Sequence, residues 1–341
     1  MKLTLEQLRQ AAWGAVEVTQ SHGGVRFYRF TAEQRAMYLE RAERFGFRSL
    51  ATAGIKLVLR TDSPWLRLRV RTEPGVLTRS YYAFVVEADG RTVGRLQNFS
   101  APILEPEAVT AEYPLGPAEG DFPLGVGEKT VSIHFPWTVQ VRLEAVELAD
   151  GAMIQPIRPE KRMLMFGDSI TQGWDAMDPR SRYAARLAGF LGMEEINKAI
   201  GGEMFFPELA LTRDPLTPDL ISVAYGSNDF AHQGNETLFR QNCRAFYHNL
   251  RQTYPTTPIL ALAPIWRKDQ EGGFGAFHRV ADGIRAAVED LEQVHVIDCY
   301  SFVPQDLYYF SDGRTHPNER GFAVYSARLL EAVREIWRRE P

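Results

Sequence analysis

Between residues 54 and 148 the chain alternates apolar and polar positions in short runs, the period of a strand with one buried face. In Trp65-Leu66-Arg67-Leu68-Arg69-Val70-Arg71, two leucines and a valine fall on one side and three arginines on the other. Thr130-Val131-Ser132-Ile133-His134-Phe135 alternates in the same way. Asp89-Gly90, between Ala83-Phe84-Val85-Val86 and Thr92-Val93, reads as a hairpin turn. Short strands separated by turn residues predict an antiparallel β-sandwich. Ahead of them, residues 31–45 predict one helix, capped by Thr31 and ended by Gly46. Residues 150–159, with Pro156 and Pro159, read as a linker.

After Lys161 the pattern changes. Arg162-Met163-Leu164-Met165-Phe166 is a continuous apolar run, as in a strand covered on both faces. Residues 220–225, 259–263 and 294–298 repeat that texture, and residues 181–192, 239–254, 275–291 and 321–338 read as helices between and after them. Strand–helix alternation predicts a doubly wound α/β domain on a parallel sheet. The expected organisation is therefore a β-sandwich with a leading helical segment over residues 1–155, and an α/β domain over residues 161–341.

Composition narrows the function classes. At 341 residues the chain exceeds one ordinary domain, and 45% hydrophobic with 24% charged residues is the balance of a globular protein, not a disordered or fibrous one. No apolar run reaches the length of a membrane span. The net charge of −4, with both signs interspersed, gives no electrostatic case for nucleic acid or an anionic membrane. Glu6 and Arg9 occupy the place of a signal peptide's apolar core, and the two cysteines, Cys243 and Cys299, form no Cys-x-x-Cys pair. The expected address is cytoplasmic, with both thiols reduced and buried.

Ligands of open parallel sheets bind beyond the carboxyl ends of the strands, and the loops there carry the candidate chemistry. They read Gly167-Asp168-Ser169-Ile170-Thr171, Asn197-Lys198-Ala199-Ile200-Gly201-Gly202, Gly226-Ser227-Asn228-Asp229 and Asp312-Gly313-Arg314-Thr315-His316-Pro317-Asn318. Acyl transfer by a serine needs such parts. A hydroxyl is a poor nucleophile until an imidazole takes its proton, the imidazole needs an orienting acceptor, and the tetrahedral intermediate needs hydrogen-bond donors. Ser169 is the candidate nucleophile, His316 the base and Asp312 the orienting carboxylate. The backbone N–H groups of Ser169 and Gly202 and the side-chain amide of Asn228 are the candidate oxyanion donors.

These four blocks, in this order, resemble those of the SGNH hydrolases, also called the GDSL family of esterases and lipases. The resemblance covers residues 161–338. It implies a nucleophile at Ser169, oxyanion donors at Gly202 and Asn228 and a base at His316. The family usually has its aspartate three residues before the histidine, whereas Asp312 is four before His316. Either the loop absorbs the extra residue and Asp312 orients the imidazole, or a backbone carbonyl does so and the centre is a Ser–His dyad. A jelly-roll-like domain ahead of such a domain is similar to the arrangement in family-two carbohydrate esterases, which implies acetyl removal from a carbohydrate. No residue before Pro156 fixes that substrate.

Plainer readings stand beside these. Ser169 alone is also a common helix cap, and Asn228 and Asp229 are common turn formers, with Asp229 also suited to tying down its loop. Trp174 and Trp266 follow strand ends and suit stacking on a sugar or walling an acyl pocket, or equally core packing. His232 borders the Asn228 loop; the other histidines lack metal-ligand spacing. Arg67, Arg69 and Arg71 fit a solvated strand face. The expected protein hydrolyses a short acyl ester, acetate on an oligosaccharide foremost, through an acyl-enzyme, with neither metal nor organic cofactor. A lipid or thioester hydrolase and a non-catalytic carbohydrate-binding protein are the rivals. The oligomeric state, a homo-oligomer included, stays open.

Overall fold

Two large antiparallel sheets, one parallel sheet and a two-stranded antiparallel pair make up the strands of a computed structural model that describes residues 1–272 and 274–339. The alternation at Trp65 becomes the strand Trp65–Pro74, with Leu66, Leu68 and Val70 buried. Its three arginines pair with Asp121, Glu147 and Glu144, the solvated face expected. Asp89 and Gly90 take φ of 46° and 73°, as a type I′ turn requires, and join Ala83–Ala88 to Arg91–Gln97.

One antiparallel sheet runs in the order Ala12–Trp13, Lys56–Thr61, Lys129–His134, Ala83–Ala88, Arg91–Gln97. The other runs Glu17–Ser21, Gly24–Tyr28, Val139–Leu148, Trp65–Pro74, Pro117–Pro123. Leu57, Leu59, Leu68, Val70, Phe84, Ile133 and Val141 share one core between them, which makes a sandwich. The expected linker is partly built in: Gln155–Pro156 pairs with Lys56–Thr61 at the sheet margin.

The single helix expected over residues 31–45 is two. Ala32–Arg41 opens with a capping box, Thr31 accepting from the Gln34 N–H and Gln34 returning to the Thr31 N–H. At Ala42 the backbone becomes extended, with φ −169° and ψ 138°, and Glu43–Arg48 restarts. Gly46 lies so close to Leu39 that a Cβ there would meet Leu39 Cα at 2.9 Å, so the second helix folds back on the first.

The parallel sheet has the order Glu194–Asn197, Arg162–Gly167, Leu220–Ala224, Ile259–Ala263, Val294–Asp298, or 2-1-3-4-5 by chain position. Tyr183–Phe190 and Glu319–Arg339 cover one face, and Glu236–Thr253 and Arg279–Val288 the other. The helix expected from residue 275 begins later, at Arg279, because Gly275–Ala276 pairs with Glu271–Gly272. The doubly wound α/β domain and the sandwich before it are both present.

Buried cations join the two halves. Arg29, fully buried, donates to the carbonyls of Ala51, Asn197 and Ala199 at 2.6, 2.9 and 2.9 Å. Lys198 reaches back to the Arg29 carbonyl and pairs with Asp214. Burial pulls the Arg29 guanidinium down to about 9 and the Lys198 ammonium to about 8. Among the described residues no helix is long and apolar enough to cross a membrane.

Candidate active site

The order 2-1-3-4-5 places its reversal between Arg162–Gly167 and Leu220–Ala224, and the crevice beyond their carboxyl ends is where such sheets hold ligands. The chain leaves the first strand through a tight corner. A Cβ on Gly167 would come within 2.1 Å of Thr171 Oγ1, so only glycine lets the following helix start this close. Asp168, not Ser169, caps that helix, accepting the Ile170 N–H at 3.0 Å. Ser169 is the first residue of the helix Ser169–Gln172, its hydroxyl free of capping duty.

Ser169 Oγ lies 2.8 Å from His316 Nε2, although 147 positions separate the two residues. His316 sits at the end of a loop tied by Asp312. One carboxylate oxygen of Asp312 collects the N–H groups of Arg314, Thr315 and His316 at 2.9, 2.7 and 3.0 Å. Gly313 takes φ +63° within that turn. The other oxygen stands 2.7 Å from His316 Nδ1. At that separation the carboxylate both orients the imidazole and favours its charged form. Burial works against the imidazolium, but Asp312 outweighs it and holds the His316 pKa above its ordinary value. Burial also disfavours the Asp312 carboxylate, yet the imidazole and the N–H groups hold its pKa well below the usual carboxylate range.

A second carboxylate, Asp175, stands behind the imidazole. It is fully buried, takes φ +71°, and has Oδ2 3.8 Å from His316 Nδ1. Ser311 Oγ donates to it at 2.8 Å, and from the sandwich come Arg79 Nε at 2.7 Å and Tyr81 Oη at 3.3 Å. Asp175, Asp312 and His316 bring ligand-type atoms within 4.8 Å of one another, but these atoms already serve Arg79, Ser311, the loop N–H groups and Ser169.

The backbone N–H groups of Ser169 and Gly202 have no acceptor among the described residues. Asn228 Nδ2 donates to the Glu203 carbonyl at 3.0 Å and lies a long 3.4 Å from Asp168 Oδ2. The longer contact is the weaker of the two. Beneath this loop, burial raises the carboxyls of Glu203 and Asp229 to about 7 and of Asp168 to about 6. Arg41 pairs with Glu203 at 2.6 Å, and Asp229 accepts the Phe205 N–H at 3.3 Å, tying its loop down.

The aromatic candidates differ in placement. Trp174 is only 6% exposed. Its ring packs against His316 and Trp137 at centroid distances of 5.2 and 5.9 Å, and the guanidinium carbons of Arg48 and Arg79 lie 5.3 and 5.2 Å from it. Trp174 thus walls the imidazole and leaves little face for a sugar. Trp266 is half-buried against Phe310 at 5.4 Å, and His232 is exposed in the Asp229–Gln233 turn. Burial, Arg267, Arg314 and Arg44 together lower the His232 pKa. Cys243 and Cys299 are buried free thiols. Sequence reasoning missed Asp175, Arg48 and Arg79; nothing in their local pattern marks them.

Residues 165–324 match the family described as GDSL-like Lipase/Acylhydrolase. No curated protein matches the sequence. Among solved structures the chain is similar to the salicylyl-acyltransferase SsfX3 from a tetracycline biosynthetic pathway, at 23% identity and a TM-score of 0.75, covering 95% of this chain and 94% of that one. It is similar to a GDSL-like lipase from Bacteroides ovatus at 18% identity and a TM-score of 0.74, over 99% and 98% of the two chains. It is also similar to a family two carbohydrate esterase from Clostridium thermocellum in complex with cellohexaose, at 16% identity and a TM-score of 0.61, over 84% and 94%. At these identities the likeness is one of fold, and it spans both halves of the chain.

Proposed function

Residues 165–324 form a GDSL-like lipase/acylhydrolase domain, and from that premise we propose that the protein is a serine esterase that removes short acyl groups, acetyl foremost, from a carbohydrate alcohol. The observation that carries the reading is the 2.8 Å contact between Ser169 Oγ and His316 Nε2, with Asp312 2.7 Å behind the imidazole. His316 takes the Ser169 proton as Oγ attacks the ester carbonyl carbon. The carbonyl oxygen gains the negative charge and is met by the N–H groups of Ser169 and Gly202 and the Asn228 amide. His316 then gives the proton to the departing alcohol, leaving an acyl ester on Ser169. Water attacks that ester through the same cycle, releases the carboxylic acid and restores the hydroxyl. Asp312 stabilises the imidazolium through both halves. No step calls on a metal or an organic cofactor.

The carbohydrate alcohol rests on the two-half arrangement, a sandwich ahead of a parallel-sheet half, similar in fold to the family two carbohydrate esterase. The two buried thiols suit a reducing, cytoplasmic address. Initial rates on p-nitrophenyl acetate, butyrate and octanoate, for wild type and Ser169→Ala together, test the reading. Acetate turnover that falls at least about 10³-fold in the variant supports it. Turnover indifferent to Ser169 removes it, and a preference for octanoate moves the substrate to a lipid.

A further inference from the structure

Gly202 takes φ +81°, and glycine occupies either sign of φ at similar cost. The peptide between Gly201 and Gly202 is therefore able to present either edge to Ser169. One edge offers the Gly202 N–H, a donor for an oxyanion. The other offers the Gly201 carbonyl, whose partial negative charge repels it. A site that uses Gly202 needs a contact that chooses between these two orientations.

That contact comes from the sandwich half. Arg48, the last residue of the helix Glu43–Arg48, donates from Nη1 to the Gly201 carbonyl at 2.5 Å. Because the peptide is planar and trans, its N–H leaves from the opposite edge. The preceding peptide is fixed as well, with the Gly201 N–H bonded to Gln172 Oε1 at 2.7 Å. Arg48 is itself held, its guanidinium carbon 5.3 Å from the Trp174 ring centroid. A Cβ on Gly202 would meet Arg48 Nη1 at 3.0 Å, so glycine also makes room for the clamp. No carboxylate pairs with Arg48 among the described residues, and its charge stays unneutralised beside the peptide.

We infer that Arg48 is a positioning residue for ester hydrolysis: by binding the Gly201 carbonyl it locks that peptide with the Gly202 N–H turned toward Ser169. Its charge also polarises the peptide and strengthens that donor. The inference rests on the reading of Gly202 as an oxyanion donor. It explains why the helix break at Ala42 matters, since an unbroken helix would carry Arg48 away from Gly201.

The test compares wild type, Ser169→Ala, Arg48→Ala and Arg48→Met. It reads kcat and KM on p-nitrophenyl acetate, affinity for phenylboronic acid as a probe of the tetrahedral adduct, and Tm. Loss of one oxyanion donor costs about 10²–10³ in kcat, so misorienting one is expected to cost about 10- to 100-fold. KM should stay within about threefold, and boronate affinity should fall by the same factor as kcat. Millimolar guanidinium should restore part of the activity of Arg48→Ala, where it has a hole to fill, and none of Arg48→Met. Arg48→Met keeps the packing against Trp174, so it carries the test should Arg48→Ala fail to fold. Arg48 variants within threefold of wild-type kcat, or a fall in kcat without loss of boronate affinity, overturn the inference. Wild-type turnover that survives Ser169→Ala overturns the hydrolase reading instead.

Discussion

Arg79 crosses from one half of the molecule to the other to hold Asp175, Nε to Oδ1 at 2.7 Å, with 7% and 0% of the two side chains exposed. The pair stands behind the imidazole, since Asp175 Oδ2 is 3.8 Å from His316 Nδ1. A buried ion pair is a weak source of net stability, but losing one partner strands the other charge in the interior.

Asp175→Asn is therefore expected to destabilise the fold by about 3 kcal/mol, because it leaves Arg79 buried without its counter-ion. Adding Arg79→Met should recover much of that loss. Thermal unfolding of the two single variants and the double variant checks this. Equal and additive losses would mean that the pair is not coupled.

In the proposed cycle His316 must be neutral to accept the Ser169 proton, and its folded pKa lies above the ordinary histidine value. The acid limb of kcat/KM should accordingly fall above the ordinary value, with activity rising as pH rises through it. Asp312→Asn removes the main group that favours the imidazolium, so the limb should move to lower pH while kcat drops. A pH–rate profile decides. A limb that stays in place with kcat unchanged would point to a dyad oriented without Asp312.

Asp229 is fully buried, burial raises its carboxyl to about 7, and its Oδ2 has no hydrogen-bond partner. A carboxyl whose pKa is higher folded than unfolded adds stability that is complete below the unfolded pKa and is lost as pH rises through the folded one. For Asp229 that window runs from about 4 to about 7. Asp229→Asn does not titrate there, so its Tm relative to wild type should climb from pH 5 to pH 8, by the equivalent of about 2 kcal/mol. A constant difference across that range counts against a protonated Asp229.

Much of this was legible in the chain itself. Period-two alternation announced Trp65–Pro74, Asp89-Gly90 announced its hairpin, and apolar runs announced the buried parallel strands. The extra residue between Asp312 and His316 is accommodated because one oxygen of Asp312 closes the turn on three N–H groups while the other faces Nδ1. Other features were hidden for physical reasons. Glu194–Asn197 is a fully buried strand that opens with two glutamates, satisfied by the Gly14 N–H and Arg162 and by Arg182, so its polarity concealed its burial. No proline marks the break at Ala42; it follows from packing of Gly46 on Leu39. Arg48 and Arg79 look like surface arginines, and their partners lie 153 and 96 positions away.

The seam between the halves has a consequence for how such a protein can be rebuilt. Arg29, Arg48 and Arg79 all originate in the sandwich half and end on the carbonyls or carboxylate of the other, around Asn197, Gly201 and Asp175. A parallel-sheet half joined to a different sandwich would receive a surface of similar shape but no guanidinium groups at those three places. Its peptide at Gly201 would be free to turn, and Asp175 would lie buried without a cation. The two halves are thus not interchangeable parts: a chimera with a foreign sandwich would need three arginines supplied at the right depth before Ser169 regained its surroundings.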